Sequence, residues 1–163
     1  MDEGKRKVTR LPAMGGGRAE IADLNADGLL DIVFCNAMHN YRPDQEAFIY
    51  WRGTSGFDPA NRTALPAYRV SGVAVGDLNA DGLPDIVLAN REDERGESWG
   101  FHLHLESTIY WGSPDGYDVS RRAPVPTISA ADVAMSDFNG DGSPDLAFVN
   151  YNSQYQSDYI YLQ

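Results

Sequence analysis

The stretch Asp77-Leu78-Asn79-Ala80-Asp81-Gly82-Leu83-Pro84-Asp85 sets three carboxylates and an amide oxygen at positions one, three, five and nine of a single turn. Two carboxylates ~4 Å apart repel by roughly 4 kcal/mol at an effective dielectric of 20, so an empty loop of this kind is strained. Alternating oxygen donors, a glycine for a sharp turn and a last acid able to bind through both oxygens match the ligand pattern of an EF-hand loop, shortened to nine residues. Hard oxygen donors in a flexible loop select calcium. At position seven the ligand would be a backbone carbonyl, which leaves the side chain there free to vary.

The pattern occurs three times. Its donors are Asp23, Asn25, Asp27 and Asp31 with the carbonyl of Leu29; Asp77, Asn79, Asp81 and Asp85 with that of Leu83; and Asp137, Asn139, Asp141 and Asp145 with that of Ser143. Asp and Asn favour turns in any protein, but three copies at one place in a repeat favour metal over a bare turn. The expected complement is three Ca2+ per chain.

The elements around the turns repeat with them. The first acids fall at 23, 77 and 137, so successive units are offset by 54 and 60 residues. "FIYWRGTSGFD" (48–58) matches "TIYWGSPDGYD" (108–118), and "DYIYLQ" (158–163) starts a third copy. "VTRLPA" (8–13), "RTALPA" (62–67) and "RRAPVP" (121–126) precede the acidic loops. In the second unit the runs 72–77, 85–90, 107–112 and 121–127 read as four short strands. Gly72 to Gly76 is small enough for an innermost strand, and Ile86 to Ala89 is apolar on both faces. No segment shows helical periodicity. The expected fold is all-β: a β-propeller of four-stranded blades, with blade 1 about 19–66, blade 2 about 72–127 and blade 3 about 131–163 in one domain over 1–163.

With the loop followed by "DIV" or "DLA", then "IYW" and the pairs Gly56-Phe57 and Gly116-Tyr117, the chain resembles the FG-GAP/VCBS repeats of integrin α-type propellers over nearly its whole length. The resemblance implies calcium loops joining the first and second strands of each blade, on the face opposite the usual ligand-binding face. The departure is in blade number. Three blades cannot close a propeller, which usually has four to eight. A homodimer forming a six-bladed ring, in which a strand at about 6–12 completes the last blade of another chain, is the expected closure; a fragment of a longer propeller is the alternative.

Composition limits the partners. A net charge of −11 opposes nucleic acid and anionic lipid, and no apolar run is long enough for membrane insertion. No export signal is visible in the chain, yet weak calcium sites fill only at extracellular or periplasmic concentrations. Cys35, the one cysteine, reads as a buried structural thiol, and Trp51 and Trp111 as repeat packing.

Ligand-binding residues are expected on the variable loops 37–46, 91–106 and 151–156, where Tyr41, Arg42, Trp99, Tyr151 and Tyr155 offer aromatic faces and donors for a protein or glycan. Asn36, Asn90 and Asn150 end second strands at matching positions, either lining a channel mouth or stabilising a turn. His102 and His104 share a strand face with Glu106, read as solvated. No phosphate loop or nucleophile elbow is present, so no catalytic residue is assigned and the chain is expected not to be an enzyme. A lectin-like propeller, and more remotely a hydrolase acting between blades, are the alternatives to a calcium-binding recognition scaffold.

Overall fold

Runs of β-branched and aromatic residues on either side of each acidic turn form antiparallel strands, and glycine and proline end them. The computed structural model describes residues 8–37, 45–91, 105–150 and 158–162. They form three sheets. The first is β1 (Gly16–Ala22), β2 (Asp31–Asn36), β3 (Gln45–Gly53) and β4 (Gly56–Ala67), paired in chain order. The second repeats that meander with β5 (Val70–Gly76), β6 (Asp85–Asn90), β7 (Leu105–Tyr110) and β8 (Arg122–Thr127). The third contains β9 (Ala130–Ser136), β10 (Asp145–Asn150) and β11 (Tyr159–Tyr161). Among the described residues no helix is long and apolar enough to cross a membrane.

Register carries over between units. Ile32 lies opposite Tyr50 and Phe34 opposite Phe48, as Ile86 lies opposite Tyr110 and Leu88 opposite Thr108. Because side chains alternate across a strand, one set of residues from each sheet meets the next sheet and the other set meets the previous one. Val33, Cys35 and Ile49 of the first sheet pack on Ile86, Leu88 and Tyr110 of the second. Val87, Ala89 and Ile109 on the other side of the second sheet pack on Val133, Leu146 and Phe148 of the third. Each sheet has two apolar faces that need neighbours, a packing consistent with the blades of a propeller.

The first strands approach most closely, β1 against β5 and β5 against β9. A side-chain carbon at Gly72 would stand 2.6 Å from the Asp132 backbone, and one at Gly76 would stand 2.6 Å from the Met135 sulfur. The smallness of β5 is therefore a packing requirement. Arg18, Gly72 and Asp132 occupy the same position in their repeats, and the Arg18 guanidinium reaches past the glycine to pair with the Asp132 carboxylate.

Residues 8–13 form no strand with any part of the described chain. They run along the first sheet, where Tyr50 donates its hydroxyl proton to the Pro12 carbonyl. Trp51 stacks on Tyr117 with ring centroids 6.3 Å apart and gives its indole proton to Thr63, so it packs between units as expected. Trp111 lies partly buried against the core between the second and third sheets. Cys35 is fully buried and free, and burial pushes its thiol up to about 12.

Candidate functional site

Each acidic turn joins the first strand of a sheet to the second, 23–30 between β1 and β2, 77–84 between β5 and β6, and 137–144 between β9 and β10. Two left-handed residues bend it. Position six is glycine, with φ of 83° at Gly28, 87° at Gly82 and 92° at Gly142. Position four is left-handed too, at Ala26 (57°), Ala80 (58°) and Gly140 (80°). An L-residue with a side chain pays about 1–2 kcal/mol for that region, so the two alanines mark a loop held in shape by its own contacts.

Those contacts bring the side chains of positions one, three and five together. In the second turn the Asp81 amide donates to Asp77 Oδ1 and to Asn79 Oδ1, both at 3.0 Å. The Asn79 amide group lies 3.0 Å from Asp81 Oδ2, and Asp77 Oδ2 accepts from the Gly82 amide at 2.8 Å. The first turn repeats the set with Asp23, Asn25 and Asp27, and the third with Asp137, Asn139 and Asp141. The amides of Leu29, Leu83 and Ser143 each bind the carboxylate two residues earlier, which orders position seven. The Asp141 carboxyl is held below its ordinary range, chiefly by the Ser143 amide.

The ninth residue differs in kind. Asp31, Asp85 and Asp145 are fully buried. Asp85 accepts from Leu78 N at 2.9 Å through one oxygen and from Gly112 N at 2.8 Å through the other. Asp31 does the same with Leu24 N at 3.1 Å and Arg52 N at 2.8 Å. Asp145 takes the amides of Phe138 and Asn139 at 2.8 and 3.3 Å. In the first two sheets this acid ties the start of the loop to the end of the third strand. Burial raises the carboxyls of Asp31 and Asp85, opposed by the amides they accept; Asp27 and Asp23 add to the rise at Asp31, and Asp81 adds to it at Asp85. A buried anion beside like charges is a place where a cation is favourable.

Among the described residues no three His, Cys, Asp or Glu side chains come together in a group that could hold a metal ion. The convergence described above runs through the asparagine amide as well as the acids, and the expected donor set adds a backbone carbonyl, so it is an oxygen set of mixed kind. That chemistry suits Ca2+, which takes amide, carbonyl and carboxylate oxygens together in flexible geometry. The residues fit the ion as donors, and three turns carry the same set.

The matching asparagines have a structural role. Asn36 donates to the Glu46 carbonyl and accepts from Met14 N; Asn90 donates to the Glu106 carbonyl and accepts from Tyr68 N. Asn150 accepts from Ile128 N. Asn36 and Asn90 are fully buried, so they clip the second and third strands to the segment that enters the first strand. Of the two readings open from the sequence, stabilisation of the chain reversal is the one these contacts carry. The expected ligand-binding residues Tyr41, Arg42, Trp99, Tyr151 and Tyr155, with His102 and His104, lie outside the described residues.

Sequence reasoning missed the left-handed fourth position, the long-range work of the ninth acid, and the tyrosine hydroxyls seated on proline carbonyls. The last left the clearest signal, since Tyr50, Tyr110 and Tyr161 recur in step with Pro12, Pro66 and Pro126.

Residues 23–88, from the first acid of the first turn into the second strand of the second sheet, match a family model described as FG-GAP-like repeat. No curated protein matches the chain.

Proposed function

We propose, from the premise that this chain carries an FG-GAP-like repeat, that it is a non-catalytic recognition scaffold of β-propeller type whose three acidic turns bind Ca2+. The supporting observation is the triplicated convergence of positions one, three and five beside a ninth acid that is fully buried, with like charges facing it at Asp31 and Asp85. Calcium would be held by the side chains of Asp23, Asn25, Asp27 and Asp31, with the Leu29 carbonyl, and by the equivalent sets in the other two turns. It neutralises the loop and fixes the hairpin between the first two strands.

The turns lie at one end of the sheets, and the second strands finish at the other, so the reading gives metal to one face and a protein or glycan ligand to the opposite one. Sites of this kind outside cells bind at roughly 10⁻⁴ M, so millimolar calcium adds about 1.4 kcal/mol per site. Such sites fill in an extracellular or periplasmic setting. The same reading includes closure of the ring: three sheets are half of a six-bladed propeller, and a second copy supplies the other half.

Native mass spectrometry in calcium and after chelation tests the metal assignment. Three ions per chain, lost in chelator with a lower melting temperature, is the expected result. A chain that takes up no calcium at millimolar concentration refutes it, and the turns are then ordinary β-turns.

A further inference from the structure

The repeat gives each residue of one unit a counterpart in the others, and residues 8–15 have theirs in the outer strands. Tyr50 donates to the Pro12 carbonyl as Tyr110 does to Pro66 at 2.5 Å and Tyr161 does to Pro126. Met14 N donates to Asn36 Oδ1 at 2.9 Å, as Tyr68 N does to Asn90 at 3.2 Å and Ile128 N to Asn150 at 3.1 Å. Gly15, Arg69 and Ser129 are all left-handed, with φ of 69°, 49° and 51°. Pro66 and Pro126 belong to β4 and β8, each the outer strand of the sheet preceding that of its tyrosine. By all three anchors, residues 8–13 stand where the outer strand of a sheet preceding β1–β4 would stand, although no described strand pairs with them.

The third sheet has the converse arrangement. Its three described strands leave the outer edge of β11 without a neighbouring strand, and its outward face carries apolar residues whose counterparts are buried. Val149 is 52% exposed, whereas its counterparts Cys35 and Ala89 are fully buried. Ile160 is 65% exposed, whereas Ile49 and Ile109 are buried. At the other end of the row Ile21 is 58% exposed, while its counterparts Val75 and Met135 pack between sheets. Each free face is the kind that its opposite number covers inside the chain.

We infer that a second copy of this chain covers both, by a heterologous contact in which the free face of β1–β4 seats on the free face of the partner's β9–β11 and residues 8–13 add to the partner's β11 as its fourth strand. This rests on the ring closure proposed above and specifies how it is made. An added strand satisfies the open backbone edge of β11, and carrying over the pairings Ile49 with Thr63 and Ile109 with Ala123 places Thr9 opposite Ile160 of the partner subunit. Two such contacts related by a twofold axis close the ring and leave no free face.

Cross-linking between singly substituted chains tests the register. Thr9→Cys and Ile160→Cys chains are co-expressed and oxidised in calcium, with buried Cys35 out of reach. The expected product is a covalent dimer holding one of each, absent when either chain is alone, and the unsubstituted chain has twice the chain mass. Ile160→Cys linking to itself, or no mixed product while the unsubstituted chain remains a dimer, overturns the face assignment and leaves the ring standing. An unsubstituted chain that is a monomer in calcium overturns the ring and this inference together, whatever its metal content. Val149→Lys and Ile21→Glu, both at exposed positions, provide a second measurement: each alone is monomeric and folded by circular dichroism, and the co-expressed pair recovers the dimer through one unsubstituted and one oppositely charged contact. If Ile21→Glu alone leaves the dimer intact, the contact is not heterologous and the inference fails.

Discussion

Replacing Asp85 by alanine separates the two roles given to the ninth position of the acidic turn. Its carboxylate is fully buried and accepts two backbone amides, Leu78 N at 2.9 Å and Gly112 N at 2.8 Å. Hydrogen bonds to a charged group contribute about 1.5–3 kcal/mol each, and the amides left behind have no other acceptor supplied by the substitution. The burial that raises the Asp85 carboxyl is a cost that alanine removes, which offsets part of the loss. Asp85→Ala is therefore expected to lower stability by about 3–5 kcal/mol even in chelator, a large share of the 5–15 kcal/mol of an ordinary domain. Asp85→Asn keeps one acceptor but turns an NH2 group toward the other amide, so it falls between alanine and wild type. Urea unfolding followed by tryptophan fluorescence, with and without calcium, provides the measurement. Asp77→Ala is the control: its amide partners are exposed to water, so in chelator it loses no more than about 1 kcal/mol while abolishing the calcium increment. An Asp85→Ala chain as stable as Asp77→Ala in chelator would refute the argument that the ninth acid ties the loop to the third strand.

Two further outcomes follow from the packing. Gly72→Ala sets a carbon 2.6 Å from the Asp132 backbone, which cannot step aside as a side chain can, so a loss of about 1–3 kcal/mol is expected in thermal melts, against little change for Gly53→Ala, whose new carbon would meet nothing nearer than 3.8 Å. Cys35 is held protonated to about 12 in the folded chain, whereas the unfolded thiol ionises near 9.0, so the unfolded state releases the proton first and stability falls as pH rises through that window. Relative to Cys35→Ala, the wild-type chain should lose about 1.4 kcal/mol per pH unit above pH 9, and its thiol should stay inert to a disulfide reagent at pH 8 until urea unfolds it.

Much of the arrangement was legible because the chain repeats. Once Asp23, Asp77 and Asp137 are aligned, the strand runs and the turn positions follow from one unit to the next, and the structure places strands within a few residues of those runs. What the sequence concealed depends on distance along the chain. The reach of Asp85 to Gly112 spans 27 residues, and Asn36 holds Met14 across 22; neither leaves a local pattern, since a buried aspartate and a turn aspartate are the same letter. The left-handed alanines at 26 and 80 were hidden for another reason. Their backbone is imposed by the side chains on either side, against their own preference, and only glycine at the equivalent 140 hints at it.

The column that holds Arg18, Gly72 and Asp132 has a consequence for how the three units can be arranged. The glycine must stand in the middle, because a side chain there meets the next backbone, and the cation and anion must flank it to meet over the gap. Exchange the second and third units, and the acid's side chain takes the place where only glycine clears the next backbone. One residue therefore gives the middle repeat an address. The chain resembles three copies of one sentence, but the middle copy cannot be moved.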